Sequence, residues 1–191
     1  MTVHKVGYLI GSLSAASINR KLAKALIKLA PDNLEFHEIE IKDLPLYNHD
    51  LDDNYPAPAQ ALKHALADVD ALLFVTPEYN RSIPGGLKNA IDWGSRPWGD
   101  NSFSRKPSAV IGASIGNIGT AVAQQQLRSV LGYCDSPQMN FPEGYIHFTE
   151  DLVTDDGEVT NDNTRAFLTD YLERYAEFVT RVRAVIPPDE D

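Results

Sequence analysis

Short apolar runs alternate with amphipathic stretches along this chain. Val6 to Ile10 (VGYLI) is apolar and ends at Gly11, the pattern of a strand buried on both faces. From Ser17 to Leu29 the apolar positions Ile18, Leu22, Ala25, Leu26 and Leu29 recur at helical spacing, and Pro31 stops the helix. Leu34, Phe36, Ile39 and Ile41 mark a second strand-like stretch with partial alternation. A loop rich in Pro and Asp follows, through Pro45, Asp50, Asp52, Asp53, Pro56 and Pro58. Ala59 to Ala67 predicts a helix, and Ala71 to Thr76 (ALLFVT) is the cleanest buried strand. Pro84 opens a helix to about Trp93, with Pro at the favoured first position. Ser108 to Ala113 predicts a fourth strand, Thr120 to Leu131 a fourth helix, and a fifth strand falls between Ser136 and Phe148. Thr164 to Val185 is a long amphipathic helix whose stripe is Phe167, Tyr171, Tyr175, Phe178 and Val182, ended by Pro187-Pro188.

Strands that alternate with helices imply βαβ units and a parallel sheet with helices on both faces. Five strands in one unbroken chain predict an α/β, flavodoxin-like three-layer fold with strand order 2-1-3-4-5. In such sheets ligands bind outside the carboxyl ends of the strands, at the switch point between strands 1 and 3. Three loops follow: those after Ile10, Thr76 and Ala113. No repeat or linker divides the 191 residues, so residues 1–191 are read as one domain.

Composition narrows the partners. Asp plus Glu is 27 against 17 for Lys plus Arg, a net charge of −10. Such a chain repels nucleic acid and anionic membranes. Cys134 is the single cysteine, which excludes an intrachain disulfide and a Cys-based zinc site. The longest uncharged run, Pro107 to Leu127, holds several glycines and three consecutive glutamines and is no membrane span. The amino-terminal residues have no signal-peptide layout. The expectation is a cytoplasmic protein.

The first loop, Gly11-Ser12-Leu13-Ser14-Ala15-Ala16-Ser17-Ile18-Asn19, opens onto a helix. A helix N-terminus offers unpaired N–H groups and a partial positive charge, which suits phosphate. The loop matches neither G-x-x-x-x-G-K-[ST] nor G-x-G-x-x-G, so a phosphate monoester on neutral donors fits better than a nucleoside triphosphate or a dinucleotide. Helix capping by Ser17 is the other reading. In the second loop, Pro77 and Pro84 fix the path, Tyr79 offers an aromatic wall and Asn80 both a donor and an acceptor.

PEYNRSIPGGLKNAIDW, joined to GSLSAASIN upstream, resembles the NADPH-dependent FMN reductase family, which includes chromate and quinone reductases and some azoreductases. The resemblance covers nearly the whole chain. It implies FMN as cofactor and NAD(P)H as co-substrate. It implies that Ser12, Ser14, Ser17, Ile18 and Asn19 hold the FMN phosphate, and that Pro77, Glu78, Tyr79 and Asn80 line the ring. Ser114, Gly116 and Gly119 would lie on the ring's other side, where glycine lets backbone approach closely. Tyr79, Asn80 and Arg81 would touch nicotinamide or a small-molecule acceptor, and no residue is named as catalytic. The family also implies a homodimer or homotetramer. Three positions depart from its pattern: Ser14 stands where many relatives carry Arg, Arg81 where an aromatic is common, and Thr120 follows Gly119 in place of a second glycine.

The expected activity is NAD(P)H-dependent reduction of quinones or similar acceptors (chromate, azo or nitro compounds, free flavin) by a ping-pong mechanism. An FMN electron carrier is the alternative, and a serine hydrolase is a third. Gly112-Ala113-Ser114-Ile115-Gly116 matches G-x-S-x-G, with Asp135 and then His147 downstream, although the chain is small for that fold. The five histidines lack metal-ligand spacing, so no metal site is expected.

Overall fold

The computed structural model describes residues 2–186, so Pro187-Pro188, expected to stop the last helix, lie outside the described residues. The elements run β1 (His4–Ile10), α1 (Ile18–Lys28), β2 (Leu34–Glu38), α2 (Ala57–Ala67), β3 (Ala71–Val75), α3 (Gly85–Gly94), β4 (Ser108–Ser114), α4 (Ala121–Tyr133), β5 (Gly144–His147) and α5 (Asp162–Val185). The sheet is parallel throughout, in the order β2-β1-β3-β4-β5. This is the flavodoxin-like arrangement.

The continuous apolar run of β3 has a direct cause. Leu73 and Val75 face Leu22 and Leu26 of α1 and Tyr171 and Tyr175 of α5. Leu72 and Phe74 face Leu62 of α2, Trp93 of α3 and Leu127 of α4. A strand with helices on both sides has no wet face, so both sets of alternating positions are apolar. The two buried phenols of α5 reach strand carbonyls: Tyr171 Oη donates to Val110 O at 3.0 Å and Tyr175 Oη to Leu72 O at 2.8 Å. Burial pushes both phenols up from their ordinary pKa.

Three expectations shift. The second strand ends at Glu38, although Ile39 and Ile41 are buried. Ile39 N makes a last bond to Tyr8 O, after which both isoleucines pack on the α2 side. Pro84 sits one residue before the helix rather than in its first position. The fifth strand shrinks to four residues, because Pro137 and Pro142 remove ladder donors from the segment before it.

Candidate functional site

The strands point their carboxyl ends at one end of the sheet, and the first, second and third loops meet there. Packing at the base is tight. A Cβ on Gly112 would stand 2.0 Å from Thr76 O, so β4 approaches the end of β3 only because residue 112 has no side chain.

In the first loop, Ser17 is the N-cap of α1: its Oγ accepts from Arg20 N at 3.3 Å. Ser12 is buried, and its Oγ accepts from Ser14 N at 3.3 Å. Ser14 is exposed. None of these three hydroxyls donates to an acceptor among the described residues, and the N–H groups of Leu13, Ala15 and Ala16 likewise have no protein acceptor there. Ile18 begins the helix; Arg20 N and Lys21 N bond Ser17, which leaves the N–H groups of Ile18 and Asn19 facing the loop. The donor set is neutral and converges on a helix N-terminus, so it fits a phosphate monoester. Asn19 is turned inward instead. It is 1% exposed, and its amide is bonded to the backbone of Ala113. Arg20 is also committed: its Nη1 bonds both Glu38 oxygens, at 2.8 and 3.0 Å.

The second loop makes a tight corner. Tyr79 and Ser82 exchange backbone bonds of 3.1 and 2.9 Å. The two residues between, Asn80 and Arg81, have φ of 52° and 60°. Pro77 is buried at the loop's base, whereas Tyr79 is half exposed. Glu78 points inward: its side chain is 5% exposed, and Oε2 accepts from Val122 N and Ala123 N at 3.0 Å each. It thus caps α4, whose own N-cap Thr120 makes no side-chain cap bond. Its Oε1 takes Arg81 Nη1 at 2.9 Å.

The third loop runs from Ser114 to Thr120. Ser114 Oγ accepts from Gly116 N at 3.0 Å, and Gly116 is exposed. Gly119 has φ +58°, and a Cβ there would stand 2.9 Å from Tyr145 C, so this glycine serves the turn and the contact with β5. The tips of the loops expose Leu13, Tyr79, Ile115 and Ile118. The sequence predicts Tyr79 as an aromatic wall, whereas its patterning misses Leu13, Ile115 and Ile118, whose only signal is a hydrophobic residue among small polar neighbours.

The hydrolase constellation is not assembled. Asp135 Oδ2 accepts from Ser104 Oγ at 2.8 Å, beyond the far end of α4, a helix of 13 residues and about 20 Å long at 1.5 Å per residue. Cys134 is buried, and desolvation pushes its thiol up. Among the described residues no group of three His, Cys, Asp or Glu side chains could hold a metal ion, and no helix is long and apolar enough to cross a membrane. A cavity of about 550 Å³ near Arg96, Trp98 and Tyr133 lies at the opposite end of the sheet from the three loops, and the loop donors do not reach it.

A sequence model of the family described as NADPH-dependent FMN reductase matches residues 4–151. The chain is similar to a 2-hydroxy-1,4-benzoquinone reductase from Burkholderia sp, 47% identical over 175 residues, covering 92% of this chain and 96% of that one. It is similar to a quinone reductase from Pseudomonas putida, 46% identical over 184 residues, covering 96% and 98%. Among solved structures it is similar to FerB, a flavoenzyme NAD(P)H:(acceptor) oxidoreductase from Paracoccus denitrificans. That match has TM-score 0.90 and 44% identity, and covers 94% and 98%.

Proposed function

Because the chain belongs to the NADPH-dependent FMN reductase family, we propose that it reduces quinones with NAD(P)H, using FMN held across the three loops. Both quinone-reducing relatives cover almost the whole chain. The observation that carries the site is the set of uncommitted hydroxyl and N–H donors at the start of α1, beside loop tips that expose flat apolar and aromatic surface.

The hydroxyls of Ser12, Ser14 and Ser17 and the backbone N–H groups of Ile18 and Asn19 hold the phosphate, with the helix dipole offsetting its charge. Asn19 acts from behind, by fixing α1 to β4. Pro77, Tyr79 and Asn80 line the ring on one side and Ser114 and Gly116 on the other. Glu78 holds the two sides in register through its cap on α4, and Gly119 shapes the turn. Bound FMN supplies the two-electron relay between reduced nicotinamide and acceptor. The balance is NAD(P)H plus quinone plus one proton giving NAD(P)⁺ plus hydroquinone. Tyr79, Asn80 and Arg81 receive the two substrates in turn. The protein's part is to bind, orient and screen, and no side chain is needed as a general base.

Residues 1–191 act as one cytoplasmic FMN-binding unit that forms homodimers or homotetramers. Chromate, azo and nitro compounds and free flavin are further acceptors to assay. The net charge of −10 favours a second reading, an FMN carrier docking on a basic redox partner. One experiment tests both. The FMN-loaded protein is supplied with NAD(P)H and a quinone; the reductase oxidises the nicotinamide directly with parallel double-reciprocal lines, and a carrier does not. Denaturation releases FMN, and recovery of FAD instead defeats the reading.

A further inference from the structure

The corner at Asn80-Arg81 presents a guanidinium at the mouth of the site, and we infer that Arg81 selects quinones bearing an ionised oxygen beside a ring carbonyl, as in 2-hydroxy-1,4-quinones, over neutral quinones. This selection rests on the quinone-reductase function and names its substrate class.

Four observations support it. First, Arg81 holds a left-handed backbone, φ 60°, directly after Asn80 at 52°. That conformation disfavours any residue with a Cβ, so a bulky cation there is kept against a local cost. Second, the corner is pinned to α4: Ser82 Oγ donates to Gln126 Oε1 at 2.6 Å, and Gln126 Nε2 donates to Arg81 O at 3.0 Å. The guanidinium therefore hangs from a fixed point. Third, its Nη1 bonds Glu78 Oε1, while the side chain stays 68% exposed. One edge of the fork is anchored and the remaining donors face outward. Fourth, Glu78 pairs with Arg81 at 2.9 Å but divides its charge between two partners. Its other oxygen takes two N–H groups from the first turn of α4, whose partial positive charge the carboxylate already offsets. Arg20, the cation beside the first loop, is closed by both oxygens of Glu38.

The chemistry matches. A hydroxyl conjugated through the ring to a quinone carbonyl is a vinylogous carboxylic acid and is ionised at neutral pH. The ionised oxygen and the neighbouring carbonyl oxygen stand on adjacent ring carbons, so a guanidinium fork can donate to both together. Such a quinone is electron-rich and accepts hydride poorly. Adding hydride and one proton gives the hydroquinone monoanion, whose phenolate a nearby cation stabilises until a second proton from water neutralises it. Tyr79, half exposed in the same turn, supplies the flat contact.

The test compares 1,4-naphthoquinone with 2-hydroxy-1,4-naphthoquinone on FMN-loaded wild type, Arg81→Gln and Arg81→Lys. In Arg81→Gln the ratio of kcat/KM for the hydroxyquinone to that for the parent falls on the order of tenfold to a hundredfold, the scale of one lost charge-assisted hydrogen bond, mainly through KM. Arg81→Lys restores part of the ratio. Titration calorimetry on the oxidised holoenzyme shows the same loss of hydroxyquinone affinity, and added salt weakens binding in wild type more than in Arg81→Gln. An unchanged ratio in Arg81→Gln, or a change of oligomeric state in that variant with the ratio unmoved, overturns the selection by Arg81. A wild-type protein that reduces neither quinone with NAD(P)H overturns the quinone-reductase function and the selection with it.

Discussion

The amide of Asn19 grips the backbone of Ala113 from both sides: Nδ2 donates to its carbonyl and Oδ1 accepts from its N–H, each at 2.9 Å. One side chain thereby fixes the start of α1, behind the first loop, to the last turn of β4 before the third. Replacing Asn19 with Ala leaves two buried backbone groups without these partners. The expected cost is about 2–4 kcal/mol, from unpaired groups at ~1–3 kcal/mol each with partial rescue by neighbours. Urea unfolding measures it. A loss under about 0.5 kcal/mol, less than one ordinary hydrogen bond, would mean that the amide does not tie α1 to β4.

Ser17 has two duties, and two substitutions separate them. Ser17→Ala removes the cap of α1 and costs about 0.5–2 kcal/mol, whereas Ser17→Gly costs only about a few tenths of a kcal/mol. Both remove the hydroxyl proposed to face the phosphate. Both are expected to weaken FMN binding on the order of tenfold to a hundredfold, as one charge-assisted bond predicts. Fluorescence titration of the apoprotein with FMN reads this directly. If Ser17→Gly binds as tightly as wild type, the hydroxyl is a cap and nothing more.

Ser114 and Gly116 divide the third loop between a hydroxyl and a bare backbone. Ser114 Oγ accepts one bond from Gly116 N, so Ser114→Ala is expected to cost about 1 kcal/mol and less than tenfold in FMN affinity or quinone turnover. Gly116→Val puts a branched side chain where the backbone is proposed to meet the ring and is expected to abolish FMN retention on gel filtration. A Ser114→Ala protein that keeps FMN but no longer turns over would assign that hydroxyl to the chemistry.

Acid stability reports on the far side of α1. Lys21 holds Asp155 at 2.7 Å, and Lys28 holds Asp156 at 3.2 Å and Glu158 at 2.6 Å. The hydrogen bond from Lys21 lowers the Asp155 pKa; Thr154, then Lys28, lower that of Asp156. A carboxylate depressed in the folded state adds stability above its unfolded pKa of about 4 and loses it as pH falls through the folded value. Wild type is therefore expected to lose more stability below about pH 4 than the Lys21→Ala/Lys28→Ala protein, with the gap shrinking in high salt because the acids are exposed. Urea midpoints at several pH values between about 2 and 7 follow the loss; parallel curves would show that these pairs contribute nothing to acid stability.

Much of the architecture was readable because burial on both faces leaves a plain trace. Ala71–Val75 is apolar throughout since both sides of β3 are covered, and the α5 stripe keeps helical period over its length. The switch-point rule then located the three loops. Other features left no local trace. Asn19 reads as one more polar loop donor, but its partner is 94 residues away, and periodicity carries no record of such a contact. Glu78 reads as a motif residue, while its cap on α4 exists only once the second and third loops are adjacent. Ile39 and Ile41 read as strand because alternation records burial, and these two are buried by α2 without being paired. Gly119 resembles Gly116 on paper, yet one meets Tyr145 and the other meets solvent.

The two tryptophans stand at opposite extremes. Trp93 is fully buried, its indole N–H donating to Pro45 O at 2.7 Å, with Tyr47 and Tyr55 edge-on at 5.1 and 5.0 Å. Trp98 is 78% exposed beside Arg96. The chain thus carries two optical reporters of different colour. Trp93, fully buried, is expected to emit blue-shifted and to be sheltered from iodide. Trp98, exposed beside Arg96, is expected to emit red-shifted and to be open to an anionic quencher. Loss of the blue component times the opening of the α3 core, and dimming of the red one registers whatever covers the segment between α3 and β4, with no label added.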